Sequence, residues 1–392
     1  MPILPDEARL LFLASRPDAV CERTYLDALA ASHPNWRAVG QLAEREKLLP
    51  ILWSYMRDHA EVIPTEVREA FRRQAAVTEF RMALTESALR QTVEALAAKG
   101  IRVMLLKGAA LATTVYGSFA RRPMGDLDIL VDSKEAGRAW QVMREAGWTL
   151  ELEGGEEFYE HLNHLPGLLD PGGLQLVLEI HRSMLPLTGP FALDETELWR
   201  EARSAQLGFT RVWVPSDRHQ LLHLSVHFAW SNMFSGIGRT VRDVATILGT
   251  SPMAWAEFTE LAVQTRARTC AFWTLMIART LTGIQVPTEV LESLRPRQPR
   301  VMTRALERAY ITSALFGACP SLRVARLLWG AGVQPEASGH GKARPWHTGE
   351  LFASVFHLDK KLGIGGRLAG QLRAAERWWR FARAVVSPRR IL

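Results

Sequence analysis

Two aspartates interrupt an apolar run, Asp126 and Asp128 in the segment DLDILVD. Residues two apart on a strand project from the same face, so both carboxylates stand together while Leu127 and Ile129 turn into a core. Like charges at that spacing need a cation, a proton or a base between them. A pair of oxygen ligands on one face suits Mg²⁺ or Mn²⁺, with waters and substrate phosphates completing the coordination. A third acid has the same setting: Glu179 in LVLEIHRSM, flanked by Leu178 and Ile180. If the two strands are neighbours, Asp126, Asp128 and Glu179 converge on one or two divalent ions. One ion would orient a triphosphate, a second would help ionise an attacking hydroxyl, and the third carboxylate would act as base. His181 lies two residues after Glu179 and shares its face. It reads equally as a group behind the metal, a substrate contact or a structural histidine.

Upstream, LLKGAAL places Gly108 between a strand and a helix. Glycine lets backbone N–H groups approach a phosphate, and a helix N-terminus favours negative charge. Lys107 and Arg122 supply positive charge for the same phosphates, although Arg121 and Arg122 precede Pro123, and one of them reads as a solvated loop residue. These parts fit nucleotidyl or phosphoryl transfer by positioning and electrostatics.

The elements that must position these groups follow from periodicity. Residues 5–60 read as short helices with polar starts, and a long helix is expected from Pro64 to Lys99, with Gly100 beyond its end. Its apolar stripe includes Val67, Phe71, Phe80, Leu84, Leu89, Val93 and Leu96. IRVMLL, DLDILVD, WTLEL, LQLVLEIHRSM and RVWVPS read as strands, with helices at KGAALATTVYG and SKEAGRAWQVMREAG. The pattern divides the chain into an N-terminal helical region (1–99), a sheet domain (100–215), a helical domain (216–330) and a loop followed by a basic amphipathic helix (331–392). In the helical domain, His223 and His227 have zinc-compatible i, i+4 spacing, but HLSVH lacks the glutamate of the H-E-x-x-H motif, so packing or lining the cleft is preferred. Arg239 and Asp243 are expected to form an ion pair within one helix. The C-terminal helix, with Trp378, Trp379 and Phe381, reads first as docked on the protein; contact with a membrane surface, an anionic peptide or RNA is the other reading.

At 392 residues, with 47% hydrophobic and 23% charged, the chain has enough apolar content for a substantial core. A net charge of +7 favours anionic partners, although the charge is spread along the chain. No apolar run reaches membrane-spanning length, and the acids near the N-terminus do not suit a signal peptide, which places the protein in the cytoplasm. Three separated cysteines, Cys21, Cys270 and Cys319, give no disulfide framework and are expected to be reduced and buried.

The order K-G, then Y-G, then RPMGDLDILV, then LEIH resembles the uncharacterised nucleotidyltransferase family of the polymerase-beta-like nucleotidyltransferase superfamily. The resemblance implies an α+β fold, a mixed β-sheet nucleotidyltransferase core flanked by N-terminal helices and a C-terminal helical domain. Asp126 and Asp128 match the superfamily's strand pair, Glu179 its third acid and Gly108 its first turn glycine. Lys107 matches the lysine of relatives with a Lys-Gly-Gly turn, and Arg122 an arginine shortly before the metal-binding strand. Ala109 departs from the pattern, which has Gly or Ser there, so a serine contact to phosphate is absent. The implied activity is Mg²⁺-dependent transfer of a nucleoside monophosphate from an NTP, ATP first, to a hydroxyl-type acceptor. A ribosomal peptide in a natural-product pathway is the first acceptor, a small molecule the second and RNA the third. The alternative is a catalytically inactive relative that binds nucleotide, peptide or RNA.

Overall fold

The computed structural model describes residues 5–16, 23–151, 159, 162–316 and 322–333. It has a mixed α+β architecture, with one seven-stranded sheet and helices before and after it. Two compact units are present, one ending at Arg295 and the other beginning at Pro296.

Four short helices open the chain: α1 (Asp6–Ala14), α2 (Arg23–Ala31), α3 (Trp36–Arg45) and α4 (Leu49–Asp58). The side chain of Asn35 caps α3 by accepting the Ala38 N–H. Between α3 and α4 the backbone turns through Lys47, which takes a φ of +57°. Pro50 then suits the first turn of α4, where its missing N–H costs nothing. The long helix α5 (Thr65–Ala98) is 34 residues. It packs through Phe71, Ala75, Met82, Leu89, Val93 and Leu96. The sequence reading also puts Phe80 and Leu84 in this stripe, but both are exposed, Phe80 at 68%. Each stands two residues from Met82, about 200° around the helix, so it points away from the sheet.

The sheet order is β3-β4-β5-β2-β1-β7-β6. Its strands are β1 (Met104–Leu105), β2 (Asp126–Leu130), β3 (Thr149–Leu150), β4 (Leu168–Leu169), β5 (Val177–His181), β6 (Arg203–Leu207) and β7 (Thr210–Val214). β2 is central: it pairs with β5 in parallel and with β1 antiparallel. Leu127 and Ile129 of β2, and Val131 just after it, share a core with Leu178 and Ile180 of β5. That core also takes Met82, Leu89, Val93 and Leu96 of α5, and Ala139 and Met143 of α7 (Ala136–Glu145). The opposite face of the central strands is thereby left for polar side chains. β4 and β6 carry little sequence signal. β4 is only two residues long, and β6 is a sheet-edge strand of largely polar residues.

Helix α6 (Lys107–Thr114) follows β1, and α8 (Glu195–Arg200) precedes the β6–β7 hairpin. After the sheet come α9 (Asp217–Val226), a π-helical turn at His227–Ser231, α10 (Ile237–Thr250), α11 (Trp255–Gln264), α12 (Arg268–Thr282) and α13 (Thr288–Leu294). α12 is deeply buried, with Trp273 and Cys270 inside. The Cys270 thiol is free, as the sequence reading expects; Cys21 and Cys319 lie outside the described residues. The second unit contains α14 (Arg300–Phe316) and α15 (Leu322–Val333), joined by a hydrogen bond from Tyr310 Oη to the Leu328 carbonyl at 2.6 Å. The C-terminal amphipathic helix expected from the sequence also falls outside the described residues. Among the described residues no helix is long and apolar enough to cross a membrane.

Candidate active site

The parallel register sets Asp126 opposite Val177 and Asp128 opposite Glu179. Asp128 and Glu179 therefore meet on the polar face of the sheet, and His181 follows on the same side of β5. The Asp128 carboxylate is 3% exposed. His181 Nε2 lies 2.9 Å from Asp128 Oδ1 and 3.4 Å from Glu179 Oε2. The other ring nitrogen, Nδ1, is 3.2 Å from the Asn163 amide nitrogen. With Nδ1 accepting from that amide, a neutral His181 carries its proton on Nε2 and donates it to the carboxylates.

Lys107 enters the same cluster from the β1–α6 turn. The Leu106 N–H donates to the Asp128 carbonyl at 3.0 Å, which fixes the turn against β2. Lys107 itself takes a φ of +44°, an uncommon conformation for a residue with a side chain. Its Nζ reaches Asp128 Oδ1 at 2.6 Å and Glu179 Oε2 at 3.7 Å. Burial alone would raise the Asp128 carboxyl, but the adjacent Lys107 ammonium and the His181 hydrogen bond hold it well below the usual carboxylate range. Burial opposes the charge on Lys107 in the same way, and Asp128 and Glu179 more than compensate, raising its pKa. Burial likewise works against the charge on His181, whose pKa is raised by its bonds to Asp128 and Glu179.

The other expected site residues fall around this centre. Asp126 stands one pleat along the same face, half-buried at the mouth, and is not one of the three groups whose ligand atoms lie within 4.8 Å of one another: Asp128, Glu179 and His181. Gly108 sits in the first turn of α6, where a Cβ would come 3.2 Å from Arg122 Nη1 and 3.4 Å from Met124 Cβ. Ala109 is buried in the core, so its side chain packs rather than facing a ligand. The first helical bond of α6 is from the Ala110 N–H to the Leu106 carbonyl, so the Gly108 and Ala109 N–H groups before it are the helix-start donors that suit an anion.

Arg122, read from the sequence as a phosphate contact, is 6% exposed and committed elsewhere. Its Nε and Nη2 form a fork on Asp243 at 2.6 and 2.7 Å, and Nη1 donates to the Pro123 carbonyl. Tyr116 Oη donates to the same Asp243 carboxylate at 2.9 Å. Asp243 thus binds Arg122 across 121 residues of sequence rather than pairing with Arg239 one turn away. The result is a buried tie between the loop before β2 and helix α10.

His223 and His227 follow one another along α9 and its π-turn, with ring centroids 6.4 Å apart and the planes tilted by 51°. Burial, reinforced by Lys107 and His181, pushes the His223 pKa down to about 3, and burial drives His227 well below its ordinary range. Both are buried and neutral, and neither belongs to a three-ligand metal cluster among the described residues. His219, fully buried with Nδ1 against Ser216 Oγ at 2.8 Å, is pushed down to about 4 by burial. These two lowered values set a pH dependence. The unfolded chain takes up protons near pH 6.5 and the folded chain does not, so the stabilisation is present above that pH and is lost on acidification toward pH 4 and 3. At pH 5 each histidine is expected to cost about 2 kcal/mol of stability relative to neutral pH. Urea unfolding at pH 7.5 and 5.0 should show this loss, and His219→Leu should reduce it by about the 2 kcal/mol share of that histidine.

Several neighbours of the site carry no local sequence signal. Asn163 orients His181. Glu151, raised by burial and then by the charge of Glu179, stands near the third carboxylate. Lys47, in the turn after α3, brings its ammonium beside Gly125, and the field of Asp126 reaches both Lys47 and Arg239 of α10.

The donor set fits a divalent cation. Two carboxylates and an imidazole offer ligand atoms within 4.8 Å of one another, and the Lys107 ammonium shows that the pocket stabilises a positive charge at this point. A mixed sheet that opposes two acids on central parallel strands, beside a strand–glycine–helix turn, defines a nucleotidyltransferase core. A family model described as uncharacterised nucleotidyltransferase matches residues 32–283, and the chain belongs to that family. No curated protein and no solved structure matches the chain.

Proposed function

We propose that the chain is a divalent-metal-dependent nucleotidyltransferase acting in the cytoplasm. It moves a nucleoside monophosphate from an NTP, ATP first, to a hydroxyl-type acceptor. The observation that carries this reading is the in-register opposition of Asp128 and Glu179 beside Lys107. Asp126, Asp128 and Glu179 would hold Mg²⁺ or Mn²⁺, with His181 completing or supporting the set. The bound ion would supply Lewis-acid charge to the phosphates and acidify the attacking hydroxyl. The Gly108 and Ala109 N–H groups present donors to phosphate oxygen at the start of α6. Lys107, which neutralises Asp128 in this structure, would be free to neutralise phosphate charge with a metal held by that carboxylate. Glu179 accepts the proton of the acceptor hydroxyl as its oxygen attacks the α-phosphorus. The bond from that phosphorus to the bridging oxygen breaks, and pyrophosphate leaves with the electron pair. The acceptor is a peptide in the first instance, a small molecule in the second and RNA in the third.

ATP labelled at the α or the γ position separates the outcomes. With a competent acceptor, the α label should move to the acceptor and the γ label should appear in pyrophosphate. Transfer of the γ label to the acceptor would make the protein a kinase instead. Nucleotide binding without transfer of either label, across peptide, small-molecule and RNA acceptors, would favour the inactive relative.

A further inference from the structure

We infer that Lys47 and Arg239 form a two-cation clamp for a short phosphate chain, the β,γ-phosphates of an NTP or the released pyrophosphate. This rests on the nucleotidyl-transfer reading of the adjacent site. It assigns part of that site to the N-terminal helices, outside the sheet.

The clamp is built by a contact between α3 and α10. The buried Glu46 carboxylate accepts the Gly238 N–H at 2.8 Å through Oε2 and Arg45 Nε at 2.9 Å through Oε1. Gly238 lies so close that a Cβ there would fall 2.5 Å from Glu46 Cβ. The end of α3 is therefore locked onto the first turn of α10. The residues that follow the lock on either side are Lys47 and Arg239, so their placement beside each other is fixed by the fold.

Lys47 occupies the position just beyond α3 in the left-handed conformation, with φ +57°. Glycine takes that conformation without strain, whereas a lysine there costs about 1 kcal/mol. Its ammonium is held 3.5 Å from where a Cβ of Gly125 would stand, at the residue before Asp126. Arg239 is half-buried next to Gly236, with Nη2 3.5 Å from the equivalent point. Among the described residues, neither cation has a carboxylate within 4 Å, whereas Lys107 is committed to Asp128 and Arg122 to Asp243. Burial and then like charge, Arg239 on Lys47 and Arg122 on Arg239, lower the pKa of both; the field of Asp126 partly offsets this for Lys47, and those of Asp243 and then Asp126 do so for Arg239. Two unneutralised cations, one in the exposed turn after α3 with its ammonium at the residue before Asp126 and one in the first turn of α10 beside the Glu46–Gly238 contact, suit a compact polyanion better than an extended strand. The matched family region begins at residue 32 and so includes both.

The test is calorimetric titration of the full chain with inorganic tripolyphosphate in Mg²⁺ buffer. Wild type should bind, and Lys47→Gly and Arg239→Gln should each raise Kd at least tenfold. Lys47→Gly removes the charge and relieves the left-handed strain, so its Tm should equal or exceed that of wild type, which separates lost binding from lost folding. Arg239→Lys should recover part of the affinity. Unchanged Kd in both charge-removing variants, or no binding to wild type, overturns the clamp. A parallel titration with a labelled single-stranded RNA gives the remaining outcome: if RNA affinity falls and tripolyphosphate affinity does not, the two cations track a nucleic-acid strand and the proposal fails. Clamp binding without nucleotide transfer to any acceptor would instead sink the transferase reading and leave the clamp standing.

Discussion

Asp128→Asn is expected to reduce nucleotide transfer about a thousandfold, equivalent to about 4 kcal/mol of transition-state stabilisation. Asp128 is the meeting point of the site: Lys107 and His181 both bond its Oδ1, and Glu179 faces it across the strand pair. Asparagine keeps the size and an acceptor oxygen for Lys107, and Glu179 remains within 3.7 Å of that ammonium. The change therefore removes the charge that holds a divalent ion while leaving the sheet face filled. Initial rates with α-labelled ATP, alongside the unfolding midpoint, separate lost chemistry from lost structure. Asp132→Asn, an exposed carboxylate just beyond β2, is the matched control and should transfer at the wild-type rate.

Arg122→Met should destabilise the protein by about 3–5 kcal/mol, because it strands a buried carboxylate. Asp243 is 1% exposed and takes three of its hydrogen bonds from Arg122 and Tyr116. Without the guanidinium, the loop that leads into β2 loses its tie to α10, and the remaining charge has only the tyrosine hydroxyl. Asp243→Leu alone should cost a similar amount by leaving Arg122 unpaired. The double variant Arg122→Met/Asp243→Leu should recover most of the loss, since an apolar pair of similar volume replaces a buried ion pair at little net cost. Urea unfolding of the four proteins gives the cycle directly. Additive losses in the double variant would mean that the two side chains act separately.

The legible part of the site was the part written in strand periodicity. Alternation in DLDILVD and LVLEIH shows which residues share a face, and the structure puts Leu127, Ile129, Leu178 and Ile180 in the core accordingly. Alternation cannot show which strands are neighbours, so the opposition of Asp128 and Glu179 depends on the sheet order. Arg122 illustrates the limit: its local sequence suggests a phosphate ligand, and its partner lies 121 residues away on another helix. Lys47 is less visible still. EREKLLP reads as the continuation of a helix, and only the turn at Lys47 and the Glu46–Gly238 contact bring it to Asp126. Phe80 and Leu84 fail for a different reason, because a helix as long as α5 has more apolar residues than its sheet-facing stripe accommodates.

The central claim is that Asp126, Asp128 and Glu179, supported by His181, form one divalent-metal site. Mn²⁺ titration followed by electron paramagnetic resonance tests this without any acceptor. Wild type should sequester Mn²⁺, and both Asp128→Asn and Glu179→Gln should lose at least 90% of that binding while remaining folded. Mn²⁺ binding of equal affinity and stoichiometry in wild type and both variants would contradict the account.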